Sequence, residues 1–300
     1  MNWLSELKKL NIGKIETNIS LKKYNTYKIG GNASCVVYPR TTTELIKLLK
    51  FIKNKDINYK MLGNGSNLIF SDKDYNGILI KLNEFDKLEI HGNKIKVGAG
   101  YQLMKLARIA LKNSLTGLEF AAGIPGTVGG AIFMNAGAYK SDMGYIVQTV
   151  KVLTPDFKVV EFENKELNFH YRTSFFKKHK DFICLEATLK LEKGDKSKID
   201  EVMKNRLKRR IESQPLNFPS AGSVFRNPKD MFAGELIEKI GLKGKRIGGA
   251  MISDKHANFI VNTGKASAED IRSLIKLAQE KVKEEYNVDL VLEQEYVNWE

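Results

Sequence analysis

Helical spacing of apolar residues recurs in four parts of the chain. These parts are 41–55, 101–113, 197–213 and a segment that opens at Ser267. Thr41 stands three positions before Glu44, which is the spacing of a capping box, and an apolar stripe follows it. Ser267 and Asp270 repeat that spacing. The pattern therefore predicts four helices, two of them with identifiable starts.

Alternating or continuous apolar runs predict strands between these helices. The predicted strands cover 57–63, 77–82, 87–90, 94–100, 181–193 and 288–297, and 149–164 forms a hairpin around Pro155 and Asp156. Strands and helices do not alternate regularly, so the pattern predicts a mixed α+β fold rather than a series of βαβ units. From about Asp195 the pattern changes to that of a charged helix, and we place boundaries near residues 82 and 195. We therefore predict domains over 1–82, 83–195 and 196–300.

The composition is that of a globular protein with a sizeable core. Hydrophobic residues make up 42% and aromatic residues 9% of 300 positions, which is long enough for two or three domains. No apolar run approaches the length of about 18 residues that spans a membrane, and the N-terminus lacks the apolar centre of a signal peptide. Cys35 and Cys184 are predicted to be reduced and buried. We expect a cytoplasmic protein.

The chain carries a net charge of +14, with 49 Lys and Arg against 35 Asp and Glu. An anionic partner such as nucleic acid is one explanation. General lysine enrichment is the other, and we favour it because the lysines are scattered and no nucleic-acid-binding motif is present. One dense cluster, KNRLKRR, spans Lys204 to Arg210. It either neutralises a ligand phosphate or forms a solvated helix face.

Uncharged glycine clusters are the most unusual local feature. They comprise Gly30-Gly31, the segment Gly63–Asn67, and Ala121–Tyr139, which has five glycines and no charged residue. Consecutive peptide N–H groups in tight turns can bind phosphate without lysine. One such turn is ordinary loop chemistry, but three predict a large phosphate-bearing cofactor held by backbone. Leu68 breaks the dinucleotide glycine pattern, and no P-loop occurs.

A second unusual stretch is Pro219–Pro228, PSAGSVFRNP, where Ser223 follows a glycine and Asn227 offers an amide. Arg172 stands beside Tyr171 in an aromatic setting and either stacks structurally or recognises a carboxylate. The four histidines lack metal-ligand spacing, so no metal site is predicted. The serine also lacks the glycine-flanked elbow of a hydrolase.

Six stretches taken together resemble one enzyme family. They are 25–33, 62–69, 122–139, 171–174, 219–228 and 247–262, in this order. The chain resembles UDP-N-acetylenolpyruvoylglucosamine reductase, the MurB family of peptidoglycan synthesis, from about Tyr24 to Val297. No single motif is decisive, but six in order make chance agreement implausible.

The resemblance implies a three-domain flavoprotein. Two N-terminal domains of the vanillyl-alcohol-oxidase type would hold FAD tightly and without a covalent bond, and a C-terminal α+β domain would bind the UDP-sugar substrate. NADPH would reduce the flavin. UDP-N-acetylglucosamine enolpyruvate would then accept hydride and a proton to give UDP-N-acetylmuramate. The expected protein is a monomer whose ligands are small molecules rather than nucleic acid.

The resemblance also assigns roles by position. Ser223 matches the proton donor, Arg172 the active-site arginine and Glu295 the C-terminal glutamate. Fixed donors of this kind stabilise an enolate as charge develops. The implied cofactor-binding residues are Gly63, Asn64, Gly65, Ser66, Asn67, Gly123, Ile124, Gly126, Thr127, Gly130, Ala131 and Asn135. The implied substrate-binding residues are Tyr171, Gln214, Arg226 and Asn227.

Departures from the family pattern are small. Phe133 stands where tyrosine is usual, Lys140 where glycine is usual and Asn32 where proline is frequent. The short interval between Arg172 and Ser223 resembles the class without an inserted loop over the substrate. Two other hypotheses stay open: a flavoprotein of the same cofactor fold that oxidises an alcohol or hydroxy acid, and a basic nucleic-acid-binding protein.

Overall fold

The computed structural model describes residues 3–299 of the chain. The α-helices are α1 (Trp3–Lys9), α2 (Thr42–Asn54), α3 (Leu103–Lys112), α4 (Val128–Met134), α5 (Phe175–Lys178), α6 (Lys196–Ser213), α7 (Ala233–Lys239) and α8 (Ala268–Tyr286). Short 3₁₀ turns cover Leu21–Lys23, Glu119–Gly123, Met143–Tyr145 and Asn164–Leu167. Each described helix is too short or too polar to cross a bilayer.

The strands are short and numerous. They are β1 (Lys14–Ser20), β2 (Asn32–Tyr38), β3 (Tyr59–Met61), β4 (Leu68–Phe70), β5 (Tyr75–Ile80), β6 (Leu88–His91), β7 (Lys94–Gly98), β8 (Leu115–Thr116), β9 (Gly137–Ala138), β10 (Ser141–Asp142), β11 (Val147–Leu153), β12 (Val159–Glu163), β13 (Ile183–Lys190), β14 (Glu192–Lys193), β15 (Arg246–Ile247), β16 (Ala250–Ile252), β17 (Ile260–Asn262) and β18 (Glu295–Val297). Helices and sheets are thus mixed, as predicted.

The chain divides into two compact units. The first unit comprises residues 1–17, 35–63 and 77–208, and the second comprises 18–34, 64–76 and 209–300. The three domains predicted from the sequence, with boundaries at residues 82 and 195, stay a prediction.

The first unit is built on two hydrophobic cores. One packs beneath a five-stranded sheet in the order β12–β11–β13–β7–β6, against α3 and α4. The other buries the apolar stripe of α2, namely Leu45, Leu48, Leu49 and Ile52. That stripe follows the helical period, so burial of one face stabilises the helix. The parallel pair β3–β5 belongs to a four-stranded sheet in the order β1–β2–β5–β3.

The second unit has one core of its own. The three-stranded sheet β15–β16–β17 packs on α8, whose buried side includes Ile271, Leu274 and Ile275. A separate parallel pair joins β18 to β4, with Glu295 opposite Leu68. Parallel pairing joins segments that are distant along the chain, and here it connects residues 227 positions apart.

Most predicted elements are confirmed, with two local differences. The Ser267–Asp270 capping box is complete, whereas the one at Thr41 is half formed. The Thr41 hydroxyl accepts from the Glu44 N–H, but the Glu44 carboxylate bonds the backbone N–H and guanidinium of Arg40 instead. The strand predicted over 288–297 is regular only in Glu295–Val297. Cys35 and Cys184 are free and buried, as predicted.

Candidate functional site

Arg172, the predicted active-site arginine, lies in a tight turn of the first unit. His170 and Thr173 exchange two backbone hydrogen bonds of 3.0 Å across this turn. Arg172 itself has a φ of +53°, a left-handed conformation that costs a non-glycine residue roughly 1–2 kcal/mol. Its Nη2 donates to the Gly137 carbonyl at 2.8 Å, and its guanidinium lies 5.0 Å from the centre of the Tyr171 ring. These contacts offset the backbone strain and orient the guanidinium.

The C-terminal end of α4 supports the same turn. Asn135, which caps this helix with a φ of +43°, is buried. Its Nδ2 donates to the His170 carbonyl at 2.9 Å, and its Oδ1 accepts from the Gly144 N–H at 2.9 Å. The buried Ser174 hydroxyl donates to the Phe133 carbonyl at 2.7 Å. The Asn135 amide therefore holds the turn of Arg172, and its predicted contact with a cofactor stays a prediction.

The glycine-rich segment before α4 is the predicted cofactor cradle of the first unit. The Thr127 hydroxyl accepts from the Gly130 N–H, and Gly129 donates to the Ala99 carbonyl at 2.8 Å. A Cβ on Gly129 would lie 3.0 Å from the Ala99 Cβ, so this glycine permits close packing of α4. A Cβ on Gly126 would meet no atom within 4 Å. The backbone at Gly126 therefore borders open space that a ligand can fill.

Two other predicted cofactor residues lie just before this cradle. Gly123 ends the 3₁₀ turn Glu119–Gly123, and Ile124 caps that turn by donating to the Ala121 carbonyl at 3.2 Å. Ala131 is buried in α4 and bonds the Thr127 carbonyl. The first unit thus gathers most of the predicted cofactor residues on one short helix and the turns that precede it.

Lys81, at the end of β5, is a residue that the sequence reasoning missed. It is only 9% exposed, and its Nζ donates to the Gly63 carbonyl at 2.5 Å. Burial lowers the pKa of this ammonium from 10.5 to about 8. The available signal was a single charge inside the apolar run GILIKL. The first glycine of the Gly63–Asn67 segment is therefore held by a buried amine.

The rest of this segment belongs to the second unit. Gly65 has a φ of +64°, and a Cβ there would lie 2.1 Å from the Tyr24 carbonyl oxygen, so only glycine fits. The Asn67 carbonyl accepts from the Glu295 N–H at 2.9 Å, and its Nδ2 donates to the Glu293 carbonyl at 3.1 Å. These contacts tie the predicted cofactor loop, with Asn64 and Ser66, to the strand that carries Glu295.

Ser223 and Glu295 lie on neighbouring segments of the second unit. Phe225 pairs antiparallel with Leu292, and the Glu293 N–H donates to the Val224 carbonyl at 2.8 Å. Extending this register places Ser223 opposite Gln294, one position from Glu295. Both Ser223 and Glu295 are half-buried, and the Glu295 Oε1 atom is buried. The fold therefore brings together two predicted catalytic residues that are 72 positions apart in sequence.

The predicted substrate residues are distributed over both units. Tyr171 is 50% exposed and lines an open cleft of about 530 Å³ in the first unit, with Tyr145 and Asn164. In the second unit the Arg226 N–H bonds the Val291 carbonyl, and the Asn227 Oδ1 accepts from the N–H that begins α7.

Gln214, the fourth predicted substrate residue, follows the C-terminus of α6, and its N–H donates to the Arg210 carbonyl at 2.9 Å. The basic cluster lies on the last turns of the same helix. Lys204 pairs with Asp200 at 2.7 Å, and the Arg206 guanidinium lies 5.0 Å from the Tyr139 ring centre. Within residues 3–299, no group of three or more His, Cys, Asp or Glu side chains could hold a metal ion.

Two protein families match two different parts of the chain. Residues 33–163 match the family described as "FAD binding domain". Residues 214–297 match the family described as "UDP-N-acetylenolpyruvoylglucosamine reductase, C-terminal domain". The first match contains the glycine-rich cradle, and the second contains Ser223 and Glu295.

Similarity to individual proteins extends over nearly the whole chain. UDP-N-acetylenolpyruvoylglucosamine reductase 1 of Bacillus cereus is 44% identical over 295 residues, which is 98% of each chain. The Bacillus subtilis reductase is 43% identical and covers 98% of this chain and 97% of its own.

Solved structures agree with this similarity. The MurB crystal structure from Thermus caldophilus matches with a TM-score of 0.81 and 37% identity, over 94% of this chain and 98% of that one. Wild-type Phl p 4.0202, a glucose dehydrogenase, matches 65% of this chain and 45% of its own, with a TM-score of 0.51 and 14% identity, and supports the fold alone. The predicted fold class, α+β with a flavin-binding part of the vanillyl-alcohol-oxidase type, is confirmed. The chain belongs to the UDP-N-acetylenolpyruvoylglucosamine reductase family of FAD-containing oxidoreductases.

Proposed function

We propose that the protein uses NADPH to reduce the enolpyruvyl group of UDP-N-acetylglucosamine enolpyruvate, giving UDP-N-acetylmuramate for peptidoglycan precursor synthesis. The observation that carries this proposal is the 44% identity over 98% of both chains with a reductase of that name. The proposed enzyme works as a monomer in the cytoplasm, where NADPH and nucleotide sugars are available.

The residues present fit the proposed cofactor, FAD. The open space at Gly126 suits a large ligand held by peptide groups, and the left-handed turn at Gly65 is one that glycine adopts readily. The segments Gly63–Asn67 and Gly123–Asn135 are each proposed as cofactor-binding segments. When bound, FAD supplies the hydride chemistry, which protein side chains cannot perform.

Arg172 is proposed to bind the carboxylate of the enolpyruvyl group. Its guanidinium is already oriented by Gly137 and Tyr171, so little rotamer freedom is lost when it binds. Negative charge spreads onto the carboxylate as the double bond accepts hydride. A fixed cation in a partly buried site stabilises that charge more than water does. Tyr171, Gln214, Arg226 and Asn227 are proposed to contact the rest of the UDP-sugar.

Ser223 is proposed to protonate the carbon that does not accept the hydride, and Glu295 to stabilise the enol form. The serine hydroxyl gives its proton to this carbon and must regain one from solvent or a neighbour. A weak acid suffices because the acceptor is a strongly basic carbanion, so placement dominates. The neighbouring positions of Ser223 and Glu295 support a shared role.

An NADPH assay tests the proposal directly. Purified protein should be yellow and release FAD on acid denaturation. It should consume NADPH when the enolpyruvyl nucleotide is added, and mass spectrometry should identify UDP-N-acetylmuramate. Oxidation of alcohols or hydroxy acids without reduction of this nucleotide would instead favour the other flavoprotein hypothesis. Colourless protein with salt-dependent retention on DNA would favour nucleic-acid binding.

A further inference from the structure

We propose that Gln294 is a positioning residue that clamps the Ser223 turn for proton transfer. This inference rests on the proposed function, in which Ser223 is the proton donor. Gln294 precedes Glu295 and is only 3% exposed. Its role was not apparent from the sequence, where it is one polar residue in the segment LEQEYV.

All polar atoms of the Gln294 side chain are used inside the second unit. Its Nε2 donates to the carbonyls of Ala221 and Gly222, each at 3.1 Å. Its Oε1 accepts from the Tyr27 hydroxyl at 3.1 Å. Carbonyl oxygens can only accept, so the NH₂ group must face the turn. One buried amide thus grips the two residues that precede Ser223.

Tyr27 satisfies the oxygen of this amide. The phenol is fully buried, and burial raises its pKa well above the usual range, so it stays a donor. The Tyr27 carbonyl in turn accepts from the buried Asn262 Nδ2 at 2.9 Å. Reversing the Gln294 amide would place Oε1 against the carbonyls of Ala221 and Gly222, neither of which can donate a hydrogen bond. The network therefore has one satisfied arrangement.

The clamp matters because of Gly222. This glycine has a φ of +75°, and a Cβ there would meet no atom within 4 Å, so packing does not restrain it. On the other side of Ser223, Asn258 bonds both backbone polar groups of Phe225. Gln294 supplies the matching restraint before Ser223. Without it the serine hydroxyl can move by an ångström, which costs about 100-fold in a positioned reaction.

Two substitutions test this proposal in the holoenzyme. Gln294→Leu keeps the approximate volume but removes both hydrogen bonds to the turn. Stopped-flow absorbance should show flavin reduction by NADPH within about 3-fold of wild type, whereas reoxidation by the enolpyruvyl nucleotide slows by about 10- to 100-fold. The matched control is Gln279→Leu, which removes a 2.9 Å amide bond to the Leu290 carbonyl in the same unit. It should leave both half-reactions near wild type.

Gln294→Glu adds a readout that a purely structural role would not produce. An ionised carboxylate would face the Ala221 and Gly222 carbonyls, whereas the protonated acid can donate to one of them. Burial raises the pKa of such a group. Reoxidation in this variant should therefore recover as the pH falls, more strongly than in wild type.

The outcomes distinguish failure of the Gln294 clamp from failure of the proposed function. Wild-type reoxidation in Gln294→Leu, or equal slowing of both half-reactions with loss of FAD, would overturn the clamp and leave the proposed function standing. A wild-type holoenzyme that the enolpyruvyl nucleotide does not reoxidise would overturn the proposed function itself. Selective slowing in Gln294→Leu together with acid recovery in Gln294→Glu supports the clamp.

Discussion

The buried ammonium of Lys81 predicts a specific dependence of stability on pH. Its pKa is about 8 in the folded protein, against 10.5 when solvated. Each pH unit between these values corresponds to about 1.4 kcal/mol, so the charged form costs the folded state about 3 kcal/mol near pH 7. Replacing Lys81 by Met removes this cost and also leaves the Gly63 carbonyl without its Nζ donor.

The sign follows from proton binding. Between pH 8 and 10.5 the unfolded chain binds more protons at Lys81 than the folded protein does, so wild-type stability rises with pH. The cost of burying Lys81 falls from about 3 kcal/mol at pH 7 to about 1 kcal/mol at pH 10. Loss of the Gly63 hydrogen bond offsets part of the gain in Lys81→Met, but that loss does not vary with pH.

Urea unfolding of the flavin-free protein measures this difference. Lys81→Met should be more stable relative to wild type at pH 7 than at pH 10, by about 2.5 kcal/mol. Lys94→Met, at the exposed first residue of β7, serves as the control, and its stability should run parallel to that of wild type. If the free energies of unfolding of wild type and Lys81→Met changed in parallel with pH, Lys81 would not be a buried cation.

Three further predictions concern the site. Ser223→Ala should permit flavin reduction by NADPH but block reoxidation by the enolpyruvyl nucleotide; normal reoxidation would exclude the serine as proton donor. Asn135→Leu removes the bond to the His170 carbonyl, so KM for the nucleotide should rise about 10-fold or more; loss of FAD at an unchanged KM would show that Asn135 acts on the cofactor and not through the turn of Arg172. Gly65→Ala brings a Cβ to 2.1 Å from the Tyr24 carbonyl oxygen at a φ of +64°. This variant should lower the free energy of unfolding by more than about 2 kcal/mol and reduce the FAD content. Gly126→Ala is the control and should cost little stability, because its Cβ would meet no atom within 4 Å.

Local chemistry made much of the secondary structure predictable. The caps at Thr41 and Ser267, the stripe of α2 and the turn between β11 and β12 depend on residues within a few positions of one another. Their spacing alone therefore predicts them. The glycine clusters also predicted tight turns, because few other residues accept a positive φ.

Tertiary structure decided which polar groups meet. Lys81 looked like one lysine among many, and Gln294 like one surface amide, yet both are buried against backbone carbonyls that lie 18 and 72 or more positions away. Sequence alone predicted Ser223 and Glu295 through a family resemblance, but only the antiparallel register beside Leu292 places them on adjoining segments. Periodicity records which face of an element is apolar, whereas the partner of a buried polar group depends on the path of the whole chain.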